Sequence, residues 1–301
     1  MLFALEVMIS GLLSGVMYSL VALGFVLIYK ASGVFNFAQG AMVLCAALTF
    51  VRLLELGINF WLAAAITLVV MVVLAVVIER IVLRPLINQP LIILFMVTIG
   101  LNYFLEGLAQ GVWDTQVHGL DVTERFGIED LPWQAVAEAT GIFISVFDIT
   151  AAIICGLLVL ALAVFFQKGR IGRALRAVAD DHQAAMSVGI PLQHIWAIVW
   201  AVAGIVALVA GALWGQRLGV QFSISLIALK ALPVLIIGGF NSIAGAIIGG
   251  LIIGAGEKLA EVYLGPIIGG GIENWFAYFI AMAFLMFRPY GLFGEEIIER
   301  V

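Results

Sequence analysis

The chain has 301 residues, a formal net charge of −5, and a composition that is 64% hydrophobic and 11% charged, where ordinary soluble domains are about a quarter charged. With a mean hydropathy of +1.20, this excludes a soluble globular enzyme, and it excludes intrinsic disorder, which needs few apolar residues and high net charge. An isoelectric point near 5.2 denies nucleic acid the basic face it requires, so a polytopic membrane protein remains.

A helix crosses the hydrocarbon core in about 20 residues because each residue advances it only about 1.5 Å. Nine apolar runs are candidates: Leu5 to Tyr29, Asn36 to Leu54, Phe60 to Leu83, Pro90 to Val112, Asp148 to Gln167, Gln193 to Gly215, Ser223 to Phe240, Ile243 to Tyr263 and Ile272 to Phe287. Several are short or glycine-rich, which predicts half-helices or re-entrant segments among eight or nine membrane segments. The fold class is an all-α transmembrane bundle, read as one domain over residues 1–301. Residues 1–10 carry Glu6 and no Lys or Arg, so the basic region of a cleaved leader is missing and the first run reads as a retained span.

Cytoplasmic loops collect Lys and Arg. Alternating nine spans from an outside N-terminus puts Lys30, Arg80, Arg84, Lys168, Arg170, Arg173, Arg176, Arg288 and Arg300 inside, and only Arg52, Arg125 and Arg217 outside. A re-entrant run would move the N-terminus inward without changing the side of the basic loop. The loop 113–147 is then periplasmic; it is acidic and too polar to span. The loop 168–191 is cytoplasmic, and within it Arg173 to Val188 has neither Gly nor Pro. Leu175, Val178 and Ala179 recur there at helical spacing, and Gly189 and Pro191 supply a stop. A short charged helix between two spans is expected on the membrane surface.

Small residues four apart let helices approach closely in lipid, where packing rather than the hydrophobic effect drives association. Gly11/Gly15, Gly107/Gly111, Gly211/Gly215, Gly245/Gly249 and Gly250/Gly254 fit this pattern, and the plain reading is tight bundle packing. Chemistry-bearing motifs are missing. There is no G-x-x-x-x-G-K-[ST] phosphate loop, no G-x-S-x-G elbow, and His118, His182 and His194 have no metal-ligand spacing to Cys or carboxylate. Cys45 and Cys155 lie in apolar runs and behave as small hydrophobes.

An ionisable group near mid-membrane costs about 2.5–3.5 kcal/mol on the insertion scale. Glu106, Lys230, Glu257 and Lys258 therefore stand out. Lys258 is placed to pair with Glu261 on its own helix face. Lys230, deep in its run and followed by Pro233, calls for an interior partner. Glu106, Glu257 and Lys258 are equally readable as path-lining groups or as side chains that snorkel to the interface.

Five stretches in order carry a resemblance: Phe35-Asn-Phe-Ala-Gln-Gly40, Ile78-Glu-Arg-Ile-Val-Leu-Arg-Pro85, Gly172-Arg-Ala-Leu-Arg-Ala-Val-Ala-Asp-Asp181 with Ala184 and Gly189-Ile190, Gly238-Gly-Phe-Asn-Ser-Ile-Ala-Gly-Ala246 with Gly249-Gly250, and Arg288-Pro-Tyr-Gly-Leu-Phe-Gly294. Together they span nearly the whole chain, which resembles the LivH-like membrane permease subunits of ATP-binding-cassette importers for branched-chain amino acids. Two positions depart from the pattern: many members carry His where Gln39 stands, and Glu106 occupies a place more often uncharged.

The resemblance implies a type II importer-like fold in a bacterial inner (plasma) membrane. It also implies a second related permease subunit, two ATPase subunits, a periplasmic substrate-binding protein and surrounding lipid as partners. Nucleic acid is not among them. The chain itself then needs no cofactor and catalyses nothing, ATP and Mg being held by the partner ATPase subunits. The loop 168–191 would supply a coupling helix for a groove of the ATPase. Arg173 and Arg176 would present charge, Leu175, Val178 and Ala179 apolar contact, and Ala184, Gly189 and Ile190 the loop's shape, although the same arginines satisfy the positive-inside bias on their own. A zwitterionic, aliphatic solute needs a few polar groups on an apolar path. Asn36, Gln39, Asn102, Glu106 and Lys230 are the candidates, with interhelical hydrogen bonding as the plain alternative. Urea, short amides or aromatic acids remain open as cargo, as does an ion-coupled secondary transporter using Glu106 or Lys230.

Overall fold

The apolar runs become helices because lipid offers backbone N–H and C=O groups no partner outside the segment. The structure is a computed structural model and describes residues 2–33, 35–86, 89–122, 144–180 and 182–294. Its α-helices are α1 (Leu2–Ser32), α2 (Gln39–Glu55), α3 (Phe60–Val77), α4 (Leu91–Trp113), α5 (Val146–Lys168), α6 (Arg170–Asp180), α7 (His182–Ser187), α8 (Leu192–Leu218), α9 (Ile227–Gly238), α10 (Ile243–Ile268) and α11 (Phe276–Phe287). Six are long and apolar enough to cross a membrane: α1, α3 with its extension to Leu86, α4, α5, α8 and α10. The run 223–240 forms a 3₁₀ turn, Phe222–Leu226, leading into the 12-residue α9, and α11 also has 12 residues. These are short segments of the kind expected from the shorter apolar runs.

Two compact units are present. The first comprises Met1–Leu23, Asp121–Val159 and Lys230–Val301, the second Gly24–Leu120 and Leu160–Leu229, with boundaries falling inside α1, α5 and α9.

In the second unit α2 is the central helix. Every residue from Gln39 to Val51 is buried, as expected of a helix apolar on all sides, and α3, α4, α8 and the 3₁₀ turn 222–226 surround it. Close approach is set by glycine: a Cβ on Gly40 would strike the Ser225 carbonyl, and one on Gly211 would lie 2.7 Å from the Val43 carbonyl oxygen. The outward faces of α3 and α4, with Trp61, Val69, Val73, Ile92, Met96 and Phe104 exposed, suit lipid.

At its end α3 widens into a π turn, Ile78–Leu83. Residues five apart share a face there, and Glu79, 1% exposed, forms a bidentate pair with Arg84, 37% exposed, at 3.3 Å. A buried carboxylate requires such a partner.

In the first unit α1 and α10 run antiparallel along glycines. The Cβ positions of Gly11 and Gly15 would fall 2.7 and 2.5 Å from the carbonyl oxygens of Gly254 and Gly250, and Ser19 donates to the Ile247 carbonyl at 3.2 Å. Two of the signature stretches interlock in the same unit. A Cβ on Gly239 (φ +100°) would meet the Gly294 main chain and one on Gly291 (φ +81°) the Gly239 main chain, and Leu292 and Phe293 N–H donate to the Ile237 and Gly238 carbonyls at 2.8 and 3.1 Å. Only glycine adopts those φ values without strain.

Candidate functional site

The basic segment 168–191 forms a sharp corner followed by two short helices. Gly169 and Gly172 make the corner, since a Cβ on either would collide with the Phe165 or Phe166 carbonyl. Arg176 turns back over it, donating to the Phe166 and Gln167 carbonyls at 2.8 and 3.3 Å, while Arg173 donates to the Lys168 carbonyl at 3.2 Å. These are the unpaired carbonyls at the C-terminus of α5, where cations are favoured.

The helix begins at Arg170 rather than Arg173 because Gly172 is accommodated in its first turn. Leu175 and Val178 are 2% and 0% exposed, and α6 packs on α8. Their expected role as outward apolar contact is therefore corrected: they anchor the helix to its own unit. Of the residues expected at the ATPase, α6 and α7 offer Arg173, Ala179 and Ala184 outward, with Arg176 half-buried. Gly189, exposed at φ +85°, ends α7 with its N–H and that of Ile190 on the Met186 and Ala185 carbonyls, both at 3.0 Å, and Pro191 starts α8. Asp181 lies outside the described residues.

The polar positions separate into three places. Asn36 and Gln39, both fully buried, sit at the start of α2. Asn36 Oδ1 accepts from Ala38 N–H at 3.1 Å in an Asx turn, and Thr98 donates to the Phe35 carbonyl at 3.1 Å. Gln39 Nε2 reaches the Ala203 carbonyl at 3.5 Å while its Oε1 has no partner; Gly24 makes room for it. Asn36 borders a small cavity of about 10 Å³ with Thr98 and Trp196, room for one water, and Gln39, Asn102 and Glu106 do not line it. Asn102 and Glu106 lie one turn apart on α4, half-buried. Beside them a Cβ on Gly100, Gly107 or Gly111 would meet nothing within 4 Å among the described residues, so the Gly107/Gly111 pair makes no seam with any of them.

Lys230 belongs to the first unit. Its interior partner is the Glu273 carbonyl, at 3.4 Å, and it lies within electrostatic reach of Glu257. Lys258 pairs with Glu273 at 3.3 Å and not with Glu261, because Glu261 is taken up by the N–H groups of Gly271 and Glu273, each at 3.0 Å. Glu257 does not snorkel; it is 3% exposed.

A further cluster, which sequence reading missed, closes one end of the second unit. Arg52 bridges Glu55 and Asp114 at 2.8 and 3.0 Å. The His118 imidazole stands between the same two carboxylates at 2.7 and 3.1 Å. The Gln116 N–H, with His118 and Arg52, holds the Asp114 carboxyl below the usual aspartate range despite some desolvation. Among the described residues no group of three or more His, Cys, Asp or Glu is arranged to hold a metal ion.

Comparison with known proteins places this architecture. A family described as "Branched-chain amino acid transport system / permease component" matches residues 7–288. The high-affinity branched-chain amino acid transport system permease protein LivH of Escherichia coli (strain K12) is 30% identical over 100% of this chain and 98% of its own. BraD of Pseudomonas aeruginosa, of the same description, is 28% identical over 99% and 98%. A probable LivH of Methanocaldococcus jannaschii is 30% identical over 92% and 88%. The chain belongs to the family of permease components of branched-chain amino acid transport systems, a multi-pass membrane transporter subunit and not an enzyme.

Proposed function

We propose that this chain is the translocating subunit of an ATP-binding-cassette importer that carries branched-chain amino acids inward across the inner membrane. The observation that carries the reading is end-to-end similarity, at 30% identity, to permeases described as serving those solutes. The chain works beside a second related permease subunit, two ATPase subunits that hold ATP and Mg, and a periplasmic substrate-binding protein. Its contact with the ATPase is the outward side of α6 and α7, through Arg173, Ala179, Ala184 and Gly189, with Arg176, Leu175 and Val178 fixing the helix from behind.

The open face of α4 supports a second permease subunit. A half-buried Glu106 beside unfilled Gly107 and Gly111 is costly against lipid and suits a protein neighbour or a wetted path.

Reconstitution tests the reading. Vesicles holding the assembled transporter and its receptor are expected to accumulate leucine only with ATP inside the ATPase compartment. Uptake that survives removal of the ATPase and collapses with a proton or sodium gradient would establish an ion-coupled carrier instead.

A further inference from the structure

Between the last turn of α1 and the first turn of α4 lies an open cleft of about 350 Å³, lined by Tyr29, Gly33, Phe35, Leu91, Ile92 and Phe95. Gly33, at φ +70°, turns the chain out of α1 and puts no side chain into the gap; a Cβ there would have only Leu91 within 4 Å. The aromatic wall is fixed from behind. Phe35 stacks on Phe25 at 4.5 Å, and Phe37 meets Phe35 and Phe95 edge-on at 4.7 and 5.0 Å. At the rim Leu91 and Ile92 are 63% and 60% exposed, an apolar surface that water covers only at a cost.

The lining and its place in the bundle say what fills the cleft. None of the six side chains is charged, and the Tyr29 hydroxyl is the one polar group among them. A zwitterionic solute would leave both of its ends unmet there, whereas an alkyl chain leaves nothing unmet. The cleft also lies at the basic end of the second unit. Lys30 follows Tyr29 in the last turn of α1, and Arg80 and Arg84 stand at the end of α3. Leu83 brings that end against Ser32 and Leu94, beside the same two helix ends. With Arg84 paired to Glu79, Lys30 and Arg80 still give this end a positive balance. Such an excess marks the cytoplasmic headgroup level, where anionic lipid attracts cations and tyrosine is enriched. One turn along α4 from Ile92, Met96 is also exposed, so the cleft runs on into an apolar face that suits lipid.

We propose that this cleft binds an anionic glycerophospholipid of the cytoplasmic leaflet, one acyl chain lying against Phe35, Phe95 and Ile92 and the phosphate at the level of Lys30. The bound chain fills the gap between α1 and α4. The site goes beyond the transport function and does not depend on which solute is carried.

The test uses the assembled transporter, purified in detergent and stripped of native lipid, then titrated with dioleoylphosphatidylglycerol or dioleoylphosphatidylcholine. Retained lipid is read by native mass spectrometry. The wild type is expected to hold the glycerol lipid at least fivefold more tightly than the choline lipid. Ile92→Trp, which fills the mouth of the cleft, should weaken that retention at least tenfold. Met96→Trp, an exposed change one turn along the same helix and outside the cleft, should keep it within twofold. Lys30→Gln should abolish the preference for the glycerol lipid while leaving choline-lipid binding within twofold of wild type. Equal retention by Ile92→Trp and wild type, or equal holding of the two lipids by wild type, overturns the proposal. So does a preference that survives Lys30→Gln. Loss of subunit assembly in Ile92→Trp alone would make the cleft a protein interface and overturns it as well.

Discussion

Arg52 and Asp114 meet at 3.0 Å although 62 residues separate them, and the pair brings the C-terminal ends of α2 and α4 to the same end of the second unit. His118 adds the segment after α8, exchanging main-chain hydrogen bonds with Val220 at 3.0 and 2.8 Å. Three helices that alternate in the expected way, α2, α4 and α8, thus finish together. Trp196 Nε1, at the start of α8, donates to the Ala31 carbonyl at the end of α1 at 3.0 Å, as the same alternation requires.

Asp114 has the one positive φ outside glycine among the described residues, +85°, a conformation nearly confined to glycine. Its carboxylate is held there by Gln116 N–H, Arg52 and His118. A folded carboxyl held below its ordinary range contributes stability that is full above the unfolded value and lost as pH falls through the lowered one. Asp114→Asn is therefore expected to lower Tm at pH 7 and to converge with wild type in strongly acid solution, as thermal scans across pH would show. A Tm difference that persists unchanged below the aspartate range would contradict the assignment.

The Glu79–Arg84 pair is asymmetric in burial, and the asymmetry predicts unequal costs. Arg84→Met strands a carboxylate that is 1% exposed and should destabilise by about 3 kcal/mol. Glu79→Gln leaves an arginine that reaches water and should cost about 1 kcal/mol. Chemical denaturation of the purified chain in detergent measures both, and equal costs would argue that the π turn is held by something other than this pair.

Glycine seams and open glycines separate cleanly. Gly15→Ala or Gly250→Ala forces a methyl against main chain of the facing helix, so each is expected to cost about 1–3 kcal/mol. Gly100→Ala has free space and should leave the isolated subunit's stability within about 0.5 kcal/mol of wild type. Heat-induced aggregation of the variants in detergent ranks them.

Arg173 and Arg176 should also part company. Arg176→Ala removes two hydrogen bonds from the end of α5 and is expected to lower stability by about 1 kcal/mol, whereas Arg173→Glu, which gives up one exposed hydrogen bond to the same end, should lower Tm by a similarly small amount and reduce ATP-driven uptake far more than Arg176→Ala by weakening contact with the ATPase. Uptake and Tm measured on the same preparations decide this; transport untouched by Arg173→Glu would remove that residue from the coupling face.

Much of the fold was legible because lipid makes span length and apolarity decisive. All nine runs are helical in part or whole, and Gly189 with Pro191 ends α7 and opens α8 as their backbone preferences dictate. Partner choice was harder to read. Helical spacing pointed Lys258 to Glu261, yet two main-chain N–H groups from residues 271 and 273 claim that carboxylate. The apolar positions of α6 were visible as a stripe, but the stripe alone could not say whether Leu175 and Val178 face their own unit or a partner. Spacing also treats all glycine pairs alike, and only the facing helix distinguishes Gly11/Gly15, packed on Gly254 and Gly250, from Gly107/Gly111, which meet none of the described residues. The Glu79–Arg84 pairing needed the π turn, which no local signal announces.

The side of the membrane to which α6 belongs tests the coupling scheme most directly. Cys45 and Cys155 are buried and free, so a single exposed thiol introduced as Ala179→Cys reports on α6 alone. A membrane-impermeant maleimide should label it in inside-out vesicles, lose access once the ATPase subunits are bound, and fail to label intact cells. Labelling from outside intact cells would contradict energy transfer through this helix.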